Sequence, residues 1–176
     1  MQKFAVADYT SLGDGVDAGT ISFNFKNMLS VIRIPFTSST ACKLKSVRIS
    51  TWEGEQTEGN NHHCTGSMKL MIKQDGTFMI YPYNSTAGKT YAEATFSGFG
   101  AQGTDNFVTL DTTPTYVCLN VYPRFYEARG TNGESLKLTY IYAEAGGTEH
   151  TVVKYIKSNV DMVEPAVYTF ASIAVE

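Results

Sequence analysis

Three histidines, three cysteines and two proline-centred tyrosine clusters are where chemistry could reside in this 176-residue chain. His62-His63-Cys64 is the one local group of metal-ligand types. Three consecutive residues cannot readily turn toward a single ion, and structural zinc sites space their ligands by two or more residues. Flanked by Gly59, Asn60, Asn61 and Gly66, the group reads as a solvated loop tip, with no metal ligand and no cofactor expected. Nucleophilic catalysis needs a base beside a Ser, Thr or Cys, and only His62, His63 and His150 offer an imidazole. His150, next to Glu149 at the start of a strand pattern, reads as a surface residue beside a hairpin. Nucleophile elbows, phosphate loops and H-E-x-x-H motifs are missing. No catalytic residue is assigned, and the expectation is a protein that is not an enzyme.

Tyr81-Pro82-Tyr83 and Tyr122-Pro123-Arg124-Phe125-Tyr126 have a different potential. Prolines at strand ends can display tyrosines on loops, where a flat ring stacks on a sugar or a partner. Trp52, Tyr81, Tyr83 and Tyr126 are therefore a candidate aromatic binding surface, weighed against ordinary core or rim packing.

Composition narrows the elements that could position such residues. Charged residues make up 18% of the chain, below the roughly 25% of typical soluble domains, while aromatics reach 12%, a balance that suits pleated sheets. A net charge of -3 with scattered Lys and Arg supplies no footprint for nucleic acid. No apolar run is long enough for a spanning helix. The cysteines are odd in number and widely spaced, so no disulfide framework is expected. The length fits one domain over residues 1–176.

Short alternating segments broken by turn residues run from end to end. Ile32, Ile34 and Phe36 share a face, Val47 and Ile49 turn inward, and a long polar loop is expected from Trp52 to about Ser67. Met68, Leu70 and Ile72, then Phe78 and Ile80, flank Gln74-Asp75-Gly76 as the strongest hairpin signal. Leu136, Leu138, Tyr140 and Tyr142 form a second period-two face, turned by Ala145-Gly146-Gly147 into His150–Ile156. In the last segment, Tyr168 and Phe170 lie on one parity, and Ile173 and Val175 on the other. The chain must bulge near Ala171-Ser172 or show apolar groups on both faces. The expected fold is an all-β antiparallel β-sandwich of about nine to eleven strands. Its terminal strand, with Tyr168, Phe170, Ile173 and Val175, is expected at or beside a sheet edge as part of an assembly surface.

Phe23–Phe36, with Phe25-Lys26-Asn27 inside it, and the following Cys42–Ile49 strand resemble fimbrillin-like proteins of Bacteroidetes. Asp105–Leu110 with Tyr116–Pro123, Leu136–Tyr142 and Met162–Ile173 fit the later strands of that family. The resemblance implies a transthyretin-like, Greek-key sandwich and export to the cell surface or outer membrane. It also implies lipid anchoring through an N-terminal segment absent from this chain. The implied function is that of a non-enzymatic pilus subunit or accessory or tip adhesin, partnered with other surface subunits by strand addition. No lipobox cysteine is found and no arginine precedes Arg33, departures that point to a one-domain relative or one domain of a longer exported protein. Asp111-Thr112-Thr113 looks like an O-glycosylation acceptor of that group of bacteria, with Thr112 as the modified residue; the alternative is a plain Asp-capped turn. The alternative function is a carbohydrate-binding module recognising a host or dietary glycan, and a host protein is a further candidate partner.

Overall fold

Alternating apolar residues become strands along the whole described chain. The computed structural model describes residues 3–7, 23–51, 64–66, 68–72, 78–82, 88–96 and 107–175. The first half of the chain forms β1 (Lys3–Ala7), β2 (Phe23–Asn27), β3 (Ser30–Ser38), β4 (Cys42–Thr51), β5 (Thr65–Gly66), β6 (Met68–Ile72), β7 (Phe78–Pro82), β8 (Gly88–Lys89) and β9 (Tyr91–Thr95). The second half forms β10 (Val108–Leu110), β11 (Thr115–Val121), β12 (Phe125–Tyr126), β13 (Leu136–Glu144), β14 (Glu149–Ile156), β15 (Val160–Asp161), β16 (Val167–Thr169) and β17 (Ile173–Val175).

Nine of these strands make two principal sheets, the two layers of an all-β sandwich. In sheet one, β4 pairs with β13 on one side and with both β9 and β10 on the other, and β14 continues beyond β13. In sheet two, β3 pairs with β11 on one side and with both β16 and β17 on the other. The consecutive strands β3 and β4 are thus the central strands of opposite sheets. Ile32, Ile34 and Phe36 from one, and Leu44, Val47 and Ile49 from the other, are fully buried. Across the layers Phe36 meets Tyr140 edge to face at 5.4 Å, a geometry worth roughly 0.5–1.5 kcal/mol beyond the area buried. Four two-stranded ladders join β1 to β2, β5 to β8, β6 to β7 and β12 to β15. The hairpin expected around Gln74-Asp75-Gly76 is present as β6–β7, with Leu70 opposite Ile80; the faces of its side chains lie outside the described residues.

A bulge decides which residues of β4 reach the core. Ser46 pairs with Ile141 but Leu44 pairs with Tyr142, so Lys45 is the extra residue. Cys42 and Leu44 therefore turn inward on one parity while Val47 and Ile49 do so on the other. Alternation alone assigns only the second pair. The expected polar loop also ends earlier than Ser67, because Cys64 is buried and Thr65 begins a strand. In the β13–β14 hairpin, Gly147 accepts a φ of +84°, and its N–H donates to the Glu144 carbonyl at 2.9 Å. Glycine meets that backbone demand without steric cost.

The terminal segment breaks the antiparallel rule, since β16 and β17 both run parallel to β3. The chain leaves β14, crosses to the Ser30 end of β3 and travels along it. Val31 N–H donates to Ala166 O at 2.8 Å, and the Ser30 hydroxyl donates to Met162 O at 3.1 Å. At the far end the Ser38 hydroxyl reaches Val175 O at 3.0 Å, and Ser38 N–H donates to Asp111 O at 2.8 Å. Between these anchors the register slips. Thr169 is opposite Arg33 and Ile173 opposite Phe36, so the terminal segment takes four steps where β3 takes three. One inserted residue reverses the parity, which puts Tyr168 and Phe170 against the same core as Ile173 and Val175.

Deleting Ala171 should abolish this correction and send Ile173 and Val175 to the outer face. At about 1.5–3 kcal/mol per side chain removed from the core, urea unfolding should show a loss of roughly 3 kcal/mol or more, whereas Ala171→Ser should be nearly neutral.

Candidate functional site

Among the described residues the two sheets differ in width. From the β9–β10 edge, sheet one is four strands across, and sheet two, from β11, is three. The side chains of β14 that share the inward face of β13 follow from the register: His150 beside Tyr142, Val152 beside Tyr140, Lys154 beside Leu138 and Ile156 beside Leu136. A groove of about 520 Å³ opens there, lined by Tyr140, Tyr142, Val152, Lys154, Ser172 and Ala174. Its walls thus come from the last two strands of sheet one and from the bulge and final strand of sheet two. Among the described residues, β16 and β17 pair with β3 alone, and Ser172 and Ala174 reach this groove.

The groove mixes apolar surface with a few polar groups. Burial, with Tyr142 next to it, raises the Tyr140 phenol above its usual range, so this hydroxyl stays protonated at neutral pH. Tyr142 is stacked on the His150 ring at 5.0 Å. The His150 Nε2 lies 2.9 Å from Glu144 Oε1 without the alignment of a hydrogen bond. Lys154 is exposed and makes no ion pair or hydrogen bond among the described residues.

The proposed assembly residues sit in this terminal segment, but their side chains serve the chain's own core. Ile173 and Val175 are 7% and 1% exposed, and Tyr168 and Phe170 pack half-buried against the same cluster. At the groove the terminal segment presents Ser172 and Ala174. Tyr126, expected on an aromatic binding surface, is corrected to a core residue at 3% exposure. Its hydroxyl donates back to Tyr122 O at 2.9 Å, a corner in which the phenol satisfies a buried carbonyl four residues upstream. Trp52 and Tyr83 lie outside the described residues, as does the Tyr81 side chain. Thr112 is exposed in a turn where Thr113 N–H donates to Asp111 Oδ1 at 2.6 Å. Sequence reading missed Lys154 and Ser172. A lysine at an inward position of an otherwise apolar alternation was the available signal for the first.

Cys64 is corrected too, from a loop tip to the interior. Its carbonyl accepts from Tyr122 N–H at 2.8 Å, and its thiol lies against the Tyr126 hydroxyl, with the Arg124 guanidinium 5.4 Å from the Tyr126 ring centre. Burial pushes the thiol up to about 12, outweighing the opposing pull of Arg124, of the Thr51 backbone and of the Tyr126 hydroxyl beside it. The phenol of Tyr126 is also raised, again chiefly by burial. A thiol so hard to ionise is a packing residue, because the thiolate is the nucleophile and metal ligand.

The chain matches no protein-family model, no curated protein and no solved structure.

Two outcomes follow from the Cys64–Tyr126 cluster. Below pH 9.0 both folded and unfolded chains hold the Cys64 proton; from there to about 12 only the unfolded chain releases it. Stability should fall as pH rises through that window, by about 1.4 kcal/mol per pH unit from this group, and denaturant melts of Cys64→Ala should be flatter between pH 9 and 10. Tyr126→Phe keeps the ring but removes the donor to Tyr122 O, and should cost about 1–3 kcal/mol at neutral pH in the same assay.

Proposed function

We propose that this chain is a non-enzymatic structural or adhesion subunit of the cell exterior, a fimbrillin-like sandwich that assembles with other surface subunits by accepting an extended strand. The observation that carries this reading is the unequal width of the two sheets. Among the described residues the outer edge of β16 and β17 has no pairing strand, and Ser172 and Ala174 border a groove whose opposite wall is the inward face of β13 and β14. An extended segment laid there gains main-chain hydrogen bonds from the edge and side-chain contacts from the groove, the two components of strand-addition recognition. The same edge without a cover is an aggregation hazard, which gives a partner strand a physical role.

The carbohydrate-binding reading loses Tyr126, whose ring is enclosed in the core. The groove supports the strand reading because its lining brings Ser172 and Ala174 of the terminal segment together with the inward face of β13 and β14. Export, lipid anchoring and modification of Thr112 belong to the same proposal, and rest on the resemblance of Phe23–Phe36 and Cys42–Ile49 to fimbrillin-like proteins.

The test is the full-length gene product in its native host, carrying a photo-crosslinking residue at Ser172 or, as a control, at Thr139 on the outer face of sheet one. Protection from protease in intact cells, or crosslinks confined to the chain itself, would remove the proposal. The expected result is surface exposure and Ser172-specific crosslinks to one continuous stretch of another surface subunit.

A further inference from the structure

A lysine on the inward face of an edge strand is unusual chemistry for a position whose neighbours are apolar. Along β14 the inward series is His150, Val152, Lys154 and Ile156. Lys154 sits directly beside Leu138, which is 3% exposed, and lines the groove together with Val152, Tyr140 and Tyr142. The described groove lining holds no carboxylate: besides Lys154 it is made of two tyrosines, a valine, a serine and an alanine. The ammonium has no partner among the described residues.

From this we infer that Lys154 is the specificity determinant of the groove, and that the strand it accepts carries a carboxylate at the position facing Lys154 between apolar residues. This rests on the reading of the groove as a strand acceptor. An apolar strand laid over Lys154 strips water from an ammonium and returns nothing, a penalty that burial of apolar surface must overcome. A strand with a glutamate or aspartate at that position supplies the missing partner in a groove partly closed to water, where such a pair is stronger than on an open surface. The same lysine discourages pairing with arbitrary apolar edges, since an inward-pointing charge on an edge strand is a common guard against aggregation. Rejection of the wrong strand and acceptance of the right one thus come from a single charge. The flexible lysine stem offers a competing outcome, in which the ammonium swings out to solvent and selects nothing.

Three soluble peptides of alternating threonine and valine, differing only in a central glutamate, glutamine or lysine on the valine face, test the inference by fluorescence anisotropy against the whole chain. Wild type should bind the glutamate peptide about tenfold or more tighter than the lysine peptide, with glutamine between them. Lys154→Glu should reverse the order, and Lys154→Gln should level it. Unchanged urea midpoints of both variants would establish that the groove is intact, and a purely structural role for Lys154 would shift all three affinities together. Equal binding of the three peptides to wild type overturns the lysine inference and leaves the strand-acceptor reading standing. Failure of every peptide to bind overturns the strand-acceptor reading, and the inference with it.

Discussion

Two adjacent strands that must each hydrogen-bond on both sides govern this structure. Every buried backbone N–H and C=O needs a partner, and β3 and β4 are buried over nearly their whole length. Only three residues, Ser39 to Ala41, separate them, yet they lie in opposite sheets. Each must therefore recruit its neighbours from elsewhere in the chain. Each does so with one long partner on one side and two short segments end to end on the other. Short segments can slip relative to each other, and the bulge between β16 and β17 is such a slip.

The buried hydroxyls at the two ends of β3 show how the arrangement is locked. Ser30 holds the incoming terminal segment through Met162 O and Glu164 O, while Ser38 holds its end through Val175 O. Ser38 also joins the two crossovers between sheets, because its backbone N–H meets Asp111 O beside the β10–β11 connection. A serine in an apolar interior is costly unless it is hydrogen-bonded, and these serve carbonyls of the terminal segment and of the chain leading into it. Among the described residues, β11 on one side of β3 and β16 and β17 on the other make sheet two three strands wide.

The groove and the buried thiol lead to opposite chemical expectations. Cys64 and Tyr126 form a dry cluster whose protons are held more tightly than in water, so it contributes packing rather than reactivity. The groove holds a protonated phenol, Tyr140, and an ammonium, Lys154, that has no partner among the described residues. Outer faces of both sheets are occupied by cross-strand contacts such as Arg48 with Glu93 and Arg33 over Tyr116. Such exposed pairs contribute little stability each, but they keep the faces polar.

The sequence by itself determined the all-β class, the strands with clean alternation and the turns that separate them, because alternation and turn chemistry act between residues a few positions apart. Ile32, Ile34 and Phe36, or Leu136 to Tyr142, needed no partner to reveal which face is apolar. Split parity at Tyr168, Phe170, Ile173 and Val175 was visible too, but two resolutions were open, and only the register against β3 selected the inserted residue. Tyr126 beside Pro123 and Arg124 reads locally as a loop aromatic, and its burial depends on Cys64, more than sixty positions away in the chain. Parallel pairing of the terminal segment and the unequal width of the sheets have no local signature at all. They are decided by which edges remain free once the long-range hydrogen bonds of β3 and β4 are satisfied, and that is a property of the assembled tertiary structure alone.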